Sequence, residues 1–300
     1  IVSVGTSPIG RTELTNRDLF THAIEGAFGA LATSPAAIVD ALFVGNQSMR
    51  FENQILYGTL LAEWCGLTGI HAERVEACSA SGGIAVKRAV EAVRNGSHHV
   101  VIAAGVENMS GDDSDAVTDA VMAGTDRVLD QRVGLTGPAM YALMARKYLH
   151  ETENDEEDLA KIAVKSHRNA LTNPQAQFHK EIELTDVLES DYVAPPLKLF
   201  DCAPVSDGAA VVVVAEAETA ATLAPATDRV TVTGAASHSD TVGIAKHDLT
   251  ALPAARQAIE AAYEDGGVRP TDIDVAEVHD AFTINEALTA EAAGFVEPGN

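Results

Sequence analysis

Basic side chains are scarce in this sequence: 20 lysines and arginines stand against 44 aspartates and glutamates, a formal net charge of −24. That deficit excludes a broad basic face for gripping nucleic-acid phosphates. Cysteine is also rare; Cys65, Cys78 and Cys202 are scattered, with no CxxC spacing. Three such thiols supply neither a disulfide framework nor a zinc site, and they suit a reducing, cytoplasmic setting in which a reactive thiol stays free. No apolar run is long enough to cross a bilayer, and no leader-like segment opens the chain. The first residues, Ile1-Val2-Ser3-Val4-Gly5, alternate like a strand and carry no methionine, as expected of a chain whose true start lies upstream.

What is present is a 46% apolar fraction over 300 residues, enough for one large domain or two ordinary ones. The acids (Asp113, Asp115, Glu153, Asp155, Glu156 and Glu157 among them) are spread along the chain, so they form a solvated surface and not a charged tail. Such a surface fits a salt-rich cytoplasm, where screening removes most of the self-repulsion; an ordinary acidic protein is the alternative.

Apolar periodicity alternates between two and 3.6. Strands are expected near 1–5, 39–44, 71–77, 99–105, 209–215, 229–235 and 274–279. Helices are expected near 17–31, 53–66, 81–95, 137–149, 156–171, 250–264 and 283–292. This alternation predicts an α/β fold. Residues 23–44 align without a gap on 258–279, sharing the leading Ala-Ile-Glu and the pairs Pro35/Pro270, Ile38/Ile273 and Ala41/Ala276. Each copy reads as helix, proline turn and strand, and the period is too long for a solenoid unit, so a duplicated half is expected. The first copy continues with a helix, a strand, the Cys78 helix and another strand, whereas the second has one helix before Asn300, so the second half is expected to be incomplete. The stretch from about 108 to 196 differs in character: it opens on polar residues that include Asp112 and closes at Pro195-Pro196, as an inserted segment would.

Cys78 lies in Val75-Glu76-Ala77-Cys78-Ser79-Ala80-Ser81-Gly82-Gly83, where an apolar strand meets small residues and then a helix. Unpaired N–H groups and the dipole at a helix start favour an anionic sulfur. The small neighbours admit a bulky thioester, and backbone N–H groups there suit a developing oxyanion. The matching chemistry is acyl transfer through a covalent thioester. The bland alternative is a cysteine packed as a small hydrophobe. Cys65, inside an apolar helix, reads as core, and Cys202, beside Asp201 in a loop, has no evident partner. His279 ends an apolar strand and precedes a helix, a common place for active-site groups in α/β folds, although a histidine merely hydrogen-bonding at a strand end reads the same way. The duplication aligns His279 with Val44, so the fold by itself does not call for a histidine there. Asp280 reads as a loop organiser, and the other histidines (His22, His71, His98, His99, His150, His167, His179, His238 and His247) carry no motif.

The run CSASGGIAVKRAVEAVRNGSHHVVIAAGVENMS, from Cys78 to Ser110, closely resembles the nucleophile region of thiolases, and the preceding Val75-Glu76-Ala77 extends it. Ser206-Asp207-Gly208-Ala209-Ala210 is similar to that family's turn into the last strand of its first half. Glu277-Val278-His279-Asp280-Ala281-Phe282 resembles the His-Asp-x-Phe motif of its archaeal and sterol-carrier-protein-type members. Gly134-Leu135-Thr136-Gly137-Pro138 and Asn173-Pro174 resemble that subgroup's loop domain.

The resemblance covers essentially the whole chain. It implies a duplicated αβαβα layered fold: an N-terminal half at 1–112 plus 196–222, a helical loop domain at 113–195, and an incomplete C-terminal half at 223–300. It implies Claisen condensation or thiolysis of acyl-CoA, above all acetyl-CoA C-acetyltransfer feeding mevalonate synthesis, with Cys78 carrying the acyl group and His279 holding the thioester oxygen. It further implies coenzyme A thioesters as substrates, no resident cofactor or metal, a homodimer or homotetramer, and a possible complex with a hydroxymethylglutaryl-CoA synthase. No membrane or nucleic-acid partner is implied. The family's Gly-His-Pro histidine and Cys-x-Gly cysteine are expected beyond Asn300, and Ala281 stands where sterol-carrier-type members often carry cysteine, so the fragment alone is expected to lack competence. The alternatives are a related condensing enzyme and a non-catalytic acyl-CoA or lipid carrier or scaffold subunit.

Overall fold

The computed structural model describes residues 1–31, 33–111, 113–246 and 248–299, so Asp112, His247 and Asn300 of the readings above lie outside the described residues. In chain order the elements are β1 (Ser3–Thr6), α1 (Asn16–Leu31), α2 (Pro35–Ile38), β2 (Ala41–Gly45), α3 (Tyr57–Trp64), β3 (His71–Val75), α4 (Ser81–Arg94), β4 (Val100–Glu107) and α5 (Ser114–Met122). They continue with α6 (Gly137–Glu151), α7 (Glu156–Ala170), α8 (Leu184–Leu188), β5 (Tyr192–Ala194), β6 (Leu197–Lys198), β7 (Gly208–Ala215), α9 (Ala217–Leu223), α10 (Pro253–Gly266) and α11 (Thr283–Ala292). Two compact units result: one spans Ile1–Val121 and Val205–Val232, the other Met122–Pro204 and Thr233–Asn300. No helix among the described residues is long and apolar enough to cross a membrane.

The first unit is the α/β layer expected from the alternating periods. Its sheet runs β1-β7-β4-β2-β3, with β2 parallel to both β3 and β4, and β7 antiparallel to β1 and β4. Buried Leu42, Val44, Ile102, Ala104, Val211 and Val213 pack with Leu19, Phe20, Ala23 and Ile24 of α1 and with Leu61 of α3. Phe43 points to the opposite face, where Arg88 of α4 lies 5.6 Å over its ring. Strand alternation thus assigns one helix pair to one face and α4 to the other. α4 ends as predicted: Gly96 takes φ +73°, the left-handed conformation of a helix stop.

The second unit is mainly helical. Ala142, Ala145 and Tyr148 of α6 pack with Leu159 of α7, Leu197 of β6, and Ile284 and Leu288 of α11. Asp155 caps α7, accepting from the Glu157 amide at 2.8 Å, while its own amide donates to Asp158 at 3.0 Å. Pro195-Pro196 turns the chain between β5 and β6, which pair antiparallel, so these prolines mark a hairpin and not a simple exit.

Two expected strands are absent among the described residues: 229–235 and 274–279 run extended with no ladder. Val230 exchanges backbone bonds with Ile1 at 2.7 and 3.0 Å. A period-two apolar pattern states which face would be buried; a strand forms only where a neighbour supplies the hydrogen bonds. Val275, at 79% exposure, has no such neighbour. Near the start of each aligned stretch a glycine lies close against a helix, although the helix register, Ala23 against Ala262, is four residues from the alignment of Ala23 with Ala258. A Cβ on Gly5 would lie 2.1 Å from Ala23 O and 2.5 Å from Ala27 N of α1. One on Gly234 would lie 2.1 Å from Ala262 O and 3.0 Å from Gly266 N of α10. In both places an extended segment presses bare backbone against a helix.

Asp207 ties the loops at one end of the first unit. Almost fully buried, its carboxylate accepts from the amides of Thr12 (3.1 Å), Met109 (2.7 Å) and Ser110 (2.7 Å), and from the Ser110 hydroxyl. Removing it strands three amide donors. Asp207→Ala is therefore expected to cost about 3–5 kcal/mol in urea unfolding; a loss under about 1 kcal/mol would refute this account.

Candidate active site

The C-terminal ends of parallel strands β2, β3 and β4 deliver three loops to one edge of the first unit. In open α/β sheets that edge is where ligands bind. The loop after β3 carries Cys78, half-buried, immediately before α4. Its backbone adopts φ +50°, a left-handed conformation that a side-chain-bearing residue takes only under constraint. The constraint is visible. Ser81 Oγ accepts from the Ala77 amide (2.9 Å) and donates to the Cys78 carbonyl (2.6 Å), closing the turn around the cysteine. The Ser81 amide reaches the same carbonyl at 3.1 Å.

The start of α4 rests on the sheet with no side chain between. A Cβ on Gly45, the last residue of β2, would lie 2.5 Å from Gly82 N and from Ser81 C. No other residue type fits there without moving the helix. Of the backbone N–H groups around the cysteine, that of Cys78 itself is engaged, donating to Glu76 Oε1 at 2.7 Å.

Behind the cysteine loop lies a polar network that the sequence did not reveal. Asn46 directly follows β2; its Nδ2 donates to Val106 O (3.0 Å) and Glu107 Oε1 (2.8 Å). Arg74 of β3 donates to Asn46 Oδ1 (3.0 Å) and Asn46 O (2.7 Å). Gln47 N donates to Glu107 Oε2 at 2.7 Å. Burial pushes the Glu107 carboxyl up to about 7, against the opposing pull of its amide donors and the Arg74 charge. The available signal was weak: a charged residue closing an apolar strand, with an arginine near the end of another strand two places away in the sheet.

The other thiols are placed differently. Cys65 caps the end of α3 against the core, and burial followed by Glu25 raises it to about 11. Cys202, for which no partner was expected, donates Sγ–H to Lys198 O at 3.3 Å and pairs by backbone with Phe282. Burial, then Asp201, pushes its thiol up to about 12. His279 belongs to the second unit. It is exposed at the end of the extended segment, and its carbonyl accepts from Asn285 Nδ2 of α11. Thr283 at the start of that helix donates to buried Asp201 Oδ1 at 2.9 Å, and Phe282 stacks on Tyr141 with centroids 4.4 Å apart. The residues that follow His279 are thus anchored to the helical unit. Among the described residues, no group of three or more His, Cys, Asp or Glu side chains is arranged to hold a metal ion.

Comparison with known proteins gives these features a family. The thiolase N-terminal domain matches residues 1–218, and the thiolase C-terminal domain-like family matches residues 235–300. The chain belongs to the thiolase family. It is 39% identical to the acetyl-CoA acetyltransferase of Methanothermobacter thermautotrophicus, covering 100% of this chain and 78% of that protein. It is 38% identical to the protein of the same name from Methanocaldococcus jannaschii, covering 100% and 76%. Among solved structures, the Ltp2-ChsH2(DUF35) aldolase superposes with a TM-score of 0.82 at 25% identity, covering 100% of this chain and 77% of that one.

The raised values of two thiols generate a test. At pH 8 about a thousandth of Cys65 and about a ten-thousandth of Cys202 is ionised. Iodoacetamide is expected to label Cys78 first, with the other two at least roughly a hundredfold slower by peptide mass spectrometry. Labelling of Cys202 at the rate of Cys78 would contradict the assigned burial.

Proposed function

We propose that this chain catalyses thiolase-type acyl transfer, as an acetyl-CoA C-acetyltransferase. The Cys78 thiolate attacks the carbonyl carbon of acetyl-CoA, the bond to the coenzyme A sulfur breaks, and coenzyme A leaves as its thiol. A second acetyl-CoA gives up a Cα proton to a general base. Its enolate carbon attacks the acetyl-cysteine carbonyl, a C–C bond forms, and Cys78 departs as thiolate from acetoacetyl-CoA. Thiolysis is the same sequence reversed. The His279 imidazole would hold the thioester oxygen as the enolate develops.

The single observation that carries this reading is the constrained cysteine: half-buried, at φ +50°, on a helix start seated directly on the sheet. A cysteine packed merely as a small hydrophobe has no use for that backbone. The acetyl-CoA acetyltransferase names of relatives 38–39% identical over the full chain support the substrate. The finer reading is a cytoplasmic homodimer or homotetramer supplying mevalonate synthesis, in complex with a hydroxymethylglutaryl-CoA synthase. The net charge of −24 supports a salt-adapted source.

On the full protein, acetyl-CoA is expected to leave an acetyl group on the Cys78 peptide, and Cys78→Ala to lower acetoacetyl-CoA formation at least about a thousandfold. Condensation persisting in Cys78→Ala would overturn the assignment. Binding of acetyl-CoA without any condensation by the wild type would favour the carrier reading. Raising KCl from about 0.1 to 1 M, which shortens the screening length from roughly 10 to 3 Å, is expected to raise both melting temperature and rate; a flat response marks an ordinary acidic protein.

A further inference from the structure

We propose that Glu107 is the positioning residue for Cys78, clamping the end of β3 through Asn46 and Arg74; this rests on the reading of Cys78 as acyl carrier. Glu107 is the last residue of β4, and its two carboxylate oxygens face two different N–H donors, Asn46 Nδ2 at 2.8 Å and Gln47 N at 2.7 Å. Asn46 is used in full. Its side-chain oxygen and its carbonyl both receive Arg74, and its own amide donates to Val75 O at 3.3 Å. Arg74 and Val75 are the last residues of β3, and Cys78 follows three residues after Val75. The far side of that short stretch is tied by Ser81. Strain at φ +50° persists only where both flanks are fixed, and Glu107 supplies the fixing on the strand side.

The clamp requires a carboxylate. Each oxygen accepts from an N–H, so a proton on either one sets an O–H beside that donor and loosens the contact. Facing Glu107 are Arg74 from β3 and Tyr57 from α3, with Glu52 acting on Tyr57 in turn. Burial lifts the carboxyl from its ordinary 4.5 to about 7. A raised carboxyl destabilises the native state increasingly as pH climbs from 4.5 through about 7, so the charge that closes the clamp also weakens the fold.

The test compares wild type with Glu107→Gln, reading both iodoacetamide alkylation of Cys78 and acetyl transfer to it between about pH 5.5 and 9. The quantity read is the ratio of the two proteins' rates, in which the ionisation of Cys78 itself cancels. It is expected to rise from about one at the acid end, where wild-type Glu107 is protonated, to roughly tenfold or more at the alkaline end. The midpoint is expected at about 7. A ratio independent of pH, at any level, overturns the proposal. Should Glu107→Gln fail to fold, Asn46→Ala, which keeps the carboxylate and removes its link, carries the same expectation and the same refutation. A titrating alkylation ratio with no acetyl transfer by the wild type would strike the acyl-carrier reading and leave the clamp standing. A flat ratio with intact transfer would strike the clamp alone.

Discussion

The contact on which the first unit depends is backbone against backbone, where the first turn of α4 meets the end of β2 at Gly45. A helix normally stands off a sheet by the depth of its side chains. Here the spacing is closed to bare peptide units, Gly82 and Ser81 over Gly45, so the helix start becomes a fixed extension of the sheet edge. Cys78 inherits that rigidity. Its left-handed φ, unfavourable for a residue with a Cβ, is held because sheet, helix and the Ser81 hydroxyl leave the turn no other geometry.

How much of this could be read from the residues divides along one physical line. Local signals were strong. The helix over Ser81–Arg94 followed from its apolar face and its Asn95-Gly96 stop, and β2, β3, β4 and β7 followed from their apolar runs. Short α5 escaped although Asp113 caps its start, because it follows a polar run that reads as loop, and the β5–β6 hairpin escaped because two prolines read as an ending. What depends on distant partners was hidden. The apolar patterns at 229–235 and 274–279 are strand-like, yet the ladder that makes a strand must come from elsewhere in the sheet. For the site, Cys78 was visible as a cysteine between a strand and small residues. Its conformation was not, and neither was the Asn46–Arg74–Glu107 network, whose members are separated by 28 and 61 positions from Asn46.

The excess of acid shapes the interior as well as the surface. Asp207 and Asp201 are buried, and each does mechanical duty by collecting backbone and side-chain donors from separate segments: Thr12, Met109 and Ser110 for the first, Lys198 and Thr283 for the second. Glu291 plays the same part in the second unit, accepting from Tyr148 OH and Gly299 N at 2.9 Å each. Buried carboxylates of this kind are tolerable because each acquires several directed donors, and losing any donor leaves an expensive orphan. Acidic side chains therefore serve here as knots for loops, which a composition count cannot distinguish from solvated charge.

Glu107 departs from that pattern in one respect. Asp207 and Glu291 gather donors that simply hold segments together, whereas Glu107 gathers the residue that fixes the strand leading to Cys78. Two costs, a strained cysteine backbone and an under-compensated carboxylate, thus converge on the same few residues at the end of β3. Costs that converge in space are most simply explained by a shared benefit there; under the role proposed for Cys78, that benefit is a thiol whose direction of approach is already set before the thioester arrives.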